Sequence, residues 1–184
     1  MSAFSNIAIS LGAMQLAKKI PFEDPQILLF LRIGYVLAQL VILYAYYHVS
    51  NVIKQKNDQT VLKYVEQPAP FSQEEPKLVV TTVRDYDLLE TSKLLRGAYM
   101  GIGTMAIFHI YLHYNQPLFI QTLMGLKNLY SAKPVSIHLL GKAAEGELKR
   151  PFQSPGMFGA AGNLQTDAAA IAEAEKRVGS KKDD

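Results

Sequence analysis

His109 and His113 stand four residues apart in "FHIYLHY", the spacing that sets two imidazoles on one face of an α-helix and that two-histidine metal sites use. A metal needs further ligands. The chain offers only His48 and His138 as other histidines, and no carboxylate lies close to the pair in sequence. There is no cysteine, which removes thiolate sites and disulfides together. "GKAAEGELKR" contains the Gly141–Lys142 pair, but a phosphate-cradling loop needs four residues between two glycines followed by Lys and Ser or Thr, and that pattern is absent. The expectation is therefore no bound metal, no cofactor and no enzymatic reaction.

The residue with the greatest electrostatic consequence is Arg32. It sits inside "PQILLFLRIGYVLAQLVILYAYYHV", residues 25 to 49, an almost unbroken apolar run. A charged side chain in hydrocarbon costs about 2.5–3.5 kcal/mol on insertion scales, so it either snorkels to the headgroups or faces a wet cavity. Gln15, Gln39, His109, His113 and Gln121 are the other polar groups within apolar stretches. Of these, Arg32, Gln39, His109, His113 and Gln121 are the candidate lining of one polar groove.

These residues must be positioned by helices. A bilayer core takes about 20 apolar residues as a helix, and Ile27 to Tyr47 supplies that length. Asp24 and Pro25 are placed to start it. Residues 3 to 17 have helical apolar spacing but reach only about 22 Å, enough for a short span or an interfacial helix. They read as a retained segment and not a signal peptide, since the lysines, Lys18 and Lys19, follow the apolar stretch. "GAYMGIGTMAIFHIYLHY", 97 to 114, is a second span, with Gly97 and Gly101 four apart as in helix-packing seams. Asn115 to Pro117 break the chain, and 118 to 132 return as a shorter apolar helix, closing a hairpin.

The remainder is polar. Residues 51 to 76 read as a helix extension followed by a proline-containing loop, while "KLVVTTV" (77 to 83) and "VSIHLL" (135 to 140) read as two strands that pair. From Gly141 onward the composition predicts a flexible basic tail, with an alanine-rich helix capped by Thr166 or Asp167. The expected fold is thus an all-α membrane protein of three to four short transmembrane or interfacial helices, with a small cytosolic region containing a short β pair. Its expected divisions are 1–50, a short and a long helix; 51–96, a cytosolic segment; 97–132, a hairpin; and 133–184, a strand and tail.

Orientation follows from basic residues. Residues 51 to 96 and 133 to 184 together hold 15 of the 19 Lys and Arg, which places both segments in the cytosol. Lys142, Lys149 and Arg150 there are candidate contacts for anionic lipid or for a ribosome, through salt-sensitive phosphate pairing.

Three segments, "KNDQTVLKYVE" (56 to 66), "KLVVTTVRDYDL" (77 to 88) and "IHLLGKAAEGELKRPF" (137 to 152), make the chain resemble a fungal endoplasmic-reticulum membrane family first named for inorganic phosphate transport and later assigned to the SRP-independent (SND) targeting pathway. The resemblance covers about Glu23 to Pro155. It implies a multi-pass ER protein that helps deliver or insert client membrane proteins, near the Sec61 translocon, the ribosome and other SND components. It transfers no catalytic residue. An insertase needs a partly polar groove and a locally thin bilayer, which the intramembrane polar groups and short helices would supply. The alternative is a phosphate transporter or its maturation factor. A carrier would need several cations at mid-membrane, where the spans offer Arg32, with Lys127 near an end.

Overall fold

A computed structural model describes residues 3–66, 76–153, 166 and 168–180. The elements in chain order are α1 (Ala3–Ala17), α2 (Pro25–Lys56), β1 (Val61–Glu66), β2 (Lys77–Thr82), α3 (Val83–Ala106) with a π turn at Ile107–Tyr111, α4 (Gln116–Ser131), α5 (Lys133–His138), a 3-10 turn (Gly146–Leu148) and α6 (Ala168–Ser180). The chain divides into two compact units, Met1–Val52 with Glu90–Gly141, and Ile53–Leu89 with Lys142–Asp184.

The first unit is helical. Asp24 begins α2 as expected, its carboxylate accepting the backbone N–H of Gln26 at 2.8 Å and so satisfying one of the free donors of the first turn. Along α2, Tyr35, Ala38, Ile42, Ala45 and Val49 are buried at alternating steps of three and four, which marks one narrow seam. The opposite face is apolar but bare: Leu29, Phe30, Ile33, Leu37, Leu40, Val41 and Tyr44 are all exposed. A soluble protein would bury such a helix, yet only 22% of its most apolar stretch is covered. Among the described residues α2 is the one helix long and apolar enough to cross a membrane. The second span expected at 97 to 114 stays α-helical only to Ala106 and passes through the π turn to Tyr111.

Tyr35 of α2, Met105 of α3 and Leu118 of α4 form a buried cluster with Leu28 packed against it. Ile42 lies where any side chain at Gly125 would stand, with its terminal carbon 3.0 Å from that position, so the glycine lets α4 close on α2. α1 packs on α4, and Ala13 and Ala17 are its buried side chains. The hairpin turn comes earlier than expected. His113 takes a left-handed backbone with φ 55°, Asn115 caps α4, and Pro117 falls inside the first turn of α4, where its missing N–H costs nothing.

The second unit holds the sheet, and here the expectation needs correction. β2 is present, but its antiparallel partner is β1, with Val61 opposite Thr82 and Glu66 opposite Lys77. The stretch read as a helix extension and loop therefore contains a strand. Residues 135 to 138 of the stretch read as the pairing strand belong to α5 in the first unit, with Leu139 and Leu140 in the turn after it, because Pro134 sets up a helical first turn and Pro134, Val135, Ser136 and Ile137 are buried consecutively, where a strand would alternate. The fold is accordingly mostly helical with the expected single β pair, formed by β1 and β2 instead of by β2 and residues 135 to 140.

β1 is reached through an Asx turn. Asp58 accepts from the backbone N–H of Thr60 at 3.0 Å and from its hydroxyl at 2.6 Å, and these bonds hold its carboxyl below the usual carboxylate range. The carbonyls of Thr60 and Asp58 then accept the N–H groups of Val83 and Arg84, while the Thr82 hydroxyl accepts that of Asp85, so the start of α3 is fully capped.

Residues 141 to 153, read as part of a flexible tail, are tied down instead. The Arg150 guanidinium donates to both carboxylate oxygens of Asp87, Nε–H to Oδ1 at 2.7 Å and a terminal N–H to Oδ2 at 2.6 Å. The Asp87 side chain is 1% exposed and that of Arg150 14%. Beside this pair, the backbone N–H of Phe152 donates to the Tyr86 hydroxyl at 2.6 Å, and Tyr64, Tyr86 and Phe152 meet edge to face. α6 lies against both strands, and Lys63 pairs with Glu175 at 2.7 Å. Residue 167, one of the two proposed caps of α6, and the tail from 154 to 165 lie outside the described residues.

A bidentate pair in so enclosed a place behaves asymmetrically. Arg150→Ala should lower stability by about 3–5 kcal/mol, because it strands a buried carboxylate, whereas the double change Asp87→Leu with Arg150→Met should cost far less. Thermal unfolding and limited proteolysis of the purified variants in detergent check this; equal losses in both would show that packing, and not the stranded charge, sets the penalty.

Candidate functional site

Arg32 does not point away alone. Its Nε–H donates to His109 Nε2 at 2.9 Å, across 77 residues of sequence. In this arrangement His109 accepts through Nε2 and turns Nδ1 to the other side of the ring. That Nδ1 is buried without a hydrogen-bond partner, as is the Tyr35 hydroxyl one turn along α2 from Arg32. Arg32, Tyr35, His109, His113, Met105 and Leu118 line one cavity of about 530 Å³ together with apolar neighbours.

The π turn explains how His109 reaches this place. Within Ile107–Tyr111 the backbone winds wider than an α-helix, and the N–H of Leu112 bonds the carbonyl of Ile107, five residues back. Such turns re-aim side chains and are frequent at functional sites. The same turn undoes the two-histidine spacing, because His113 lies beyond the helix in a left-handed residue and the pair no longer shares an α-helical face. Among the described residues no group of three metal-ligating side chains comes together.

The five proposed groove residues thus separate. Arg32, His109 and His113 come to one cavity. Gln39 is buried two turns further along the α2 seam and does not line it. Gln121 sits on α4 against α3, its Nε2 2.8 Å from where a Gly101 side chain would begin and its Oε1 buried without a partner. Tyr35 was missed from sequence, since one tyrosine among several in an apolar run carries no mark. The apolar three-and-four spacing through Tyr35, Ala38, Ile42, Ala45 and Val49 is the available signal.

Residues 1–182 match the family described as Phosphate transport (Pho88). The chain belongs to that family. Within it, the chain is 43% identical over 174 residues to SRP-independent targeting protein 3 of Saccharomyces cerevisiae, which covers 94% of this chain and 93% of that protein. It is 38% identical over 172 residues to the SRP-independent targeting protein 3 homolog of Schizosaccharomyces pombe, covering 92% and 89% respectively. No solved structure matches.

For this Pho88-family chain the proposed basic contacts also divide. Lys142 and Lys149 are exposed, whereas the Arg150 guanidinium donates to both carboxylate oxygens of Asp87 and its side chain is only 14% exposed. The two glycines of the proposed packing seam differ as well. A side chain at Gly101 would meet Gln121, but one at Gly97 would meet nothing within 4 Å. Gly97→Ala should therefore be neutral or slightly stabilising through helix propensity, while Gly101→Leu should cost about 1–3 kcal/mol by overpacking. Melting temperatures in one detergent decide it: equal tolerance of both changes would mean that α3 and α4 do not depend on the close approach at Gly101.

Proposed function

We propose that the protein is a multi-pass resident of the ER membrane that targets client membrane proteins and eases their transmembrane segments into the bilayer, beside the Sec61 channel and the ribosome. The family's targeting names support the process, and the mechanism rests on one observation: an arginine inside the most apolar helix, hydrogen-bonded to a histidine and facing a cavity whose polar atoms retain unused hydrogen-bonding capacity.

Physically, a polar client loop entering hydrocarbon loses its hydrogen bonds to water, at a cost of about 2–7 kcal/mol per uncompensated group. The free guanidinium N–H groups of Arg32 can take over some of those bonds part-way across. Helix length assists. α1 and α4, with 15 and 16 residues, reach only about 22 and 24 Å against a hydrocarbon core of about 30 Å, and helices of such length thin the lipid around them. The bare apolar face of α2 gives the incoming segment a surface no more costly than lipid.

Arg32→Leu should leave the protein folded and resident, because the guanidinium has one hydrogen-bond partner among the described residues, yet reduce client insertion and crosslinking of a stalled client to positions 32 and 109. Unchanged insertion would remove the role assigned to Arg32. In liposomes the purified protein should leave phosphate flux unchanged; saturable uptake that depends on Arg32 would instead establish a carrier. Glycosylation acceptors placed in residues 68–76 and at the C-terminus should stay unmodified, as the distribution of Lys and Arg requires for two cytosolic segments. Efficient modification at either site would overturn that topology.

A further inference from the structure

A second cavity, of about 630 Å³, lies along α3 and shares no residue with the first. Its walls are Arg96, Tyr99, Met100, Gly103, Thr104 and Ile107, with Ser92 and Leu95 above them. Positions 92, 96, 99 or 100, 103 and 107 recur at three and four residues, so they make one continuous stripe along a single helix face.

The chemistry of this stripe changes sharply along its length. Arg96 is the last charged Lys, Arg, Asp or Glu before the uncharged run that begins at Gly97, and its exposed side chain stands where the polar part of α3 ends. Below it everything is apolar or self-satisfied. Tyr99 spends its hydroxyl on Tyr47, and the Thr104 hydroxyl donates to the carbonyl of Met100 at 2.8 Å, which leaves rings, a thioether and methyl groups facing the groove. Gly103 forms its floor, since a side chain built there would touch nothing within 4 Å. From Arg96 to Ile107 the groove runs about 16 Å.

We infer that this groove is a binding site for one anionic phospholipid, its phosphate on the Arg96 guanidinium and one acyl chain lying over Gly103 between Tyr99, Met100 and Ile107. Charge complementarity selects the occupant. A transmembrane helix would fill apolar walls equally well but has no use for a cation at the headgroup end, whereas an amphiphile with an anion above a hydrocarbon chain uses both parts. Arg96 supplies charge-assisted hydrogen bonds in a fork that matches phosphate oxygens. The inference rests on the membrane placement of α3 and is independent of client handling.

The test uses the full chain in nanodiscs containing a phospholipid with a photoreactive diazirine in its acyl chain, carrying either a phosphatidylserine or a phosphatidylcholine headgroup. Labelling should concentrate on residues 99–107, and the serine lipid should be preferred by about fivefold, the worth of one basic residue near an anionic surface. Arg96→Gln should abolish the preference but keep the labelling. Gly103→Leu, whose Cβ would stand in open space, should fill the floor and remove labelling of 99–107 while the melting temperature is unchanged. Free inorganic phosphate in excess should not compete, since it lacks the chain. Labelling on the bare α2 face at Leu37 and Leu40 is the internal control: if it persists while the α3 groove is unlabelled, or labelled equally with Gly103→Leu or with either headgroup, the site is overturned; if it too is absent, the membrane placement falls with it. Displacement of the lipid label by a crosslinked client helix would reassign the groove to protein.

Discussion

A guanidinium has five N–H donors, and in surroundings poor in water each must find an acceptor or remain costly. Two arginines meet that constraint in opposite ways. Arg150 gives two of its donors to the two oxygens of a buried carboxylate, and the loop after α5, the start of α3 and the aromatic contacts of Tyr64, Tyr86 and Phe152 lie around that bond. Arg32 has a single ring nitrogen as its described partner and a cavity beside it. The first arrangement closes a cation on a buried anion. The second is reactive in the plain sense that it has bonds left to make.

Much of the helical layout could be read from sequence because its causes are local. The cap at Asp24, the apolar length of α2 and the extent of α1 are each set by residues within a few positions of one another, and the structure places α1 over the residues expected. The strands were harder. "VLKYVE" does not alternate cleanly, since Tyr64 and Val65 are buried side by side, and it follows closely on a helix that ends in lysines, so that the segment reads as polar helix and loop. "VSIHLL" shows the opposite failure, in which β-branched composition outweighed the proline that starts a helix.

The candidate site was visible as a set of residue types and not as an arrangement. Polar side chains inside apolar runs name themselves, which is why Arg32 and His109 stood out. Their meeting depends on the π turn, for which "IFHIY" carries no signal, and on a left-handed residue at His113 that is neither glycine nor asparagine. The pairing of Asp87 with Arg150 was invisible for a different reason. Both residues lay in segments already recognised as distinctive, but nothing in one sequence couples positions 63 residues apart.

The wide turn at Ile107–Tyr111 also governs which changes in length this chain can absorb. A π turn is an α-helix carrying one residue too many, so loss of a single residue there would let the helix relax to ordinary winding and turn all that follows through about 100°. His113, the left-handed corner and the start of α4 would then leave from the wrong side of α3. For descendants of this sequence, the spacing between Arg32's partner and the corner that follows it is thus counted in whole residues, and drift there is constrained by arithmetic before it is constrained by chemistry.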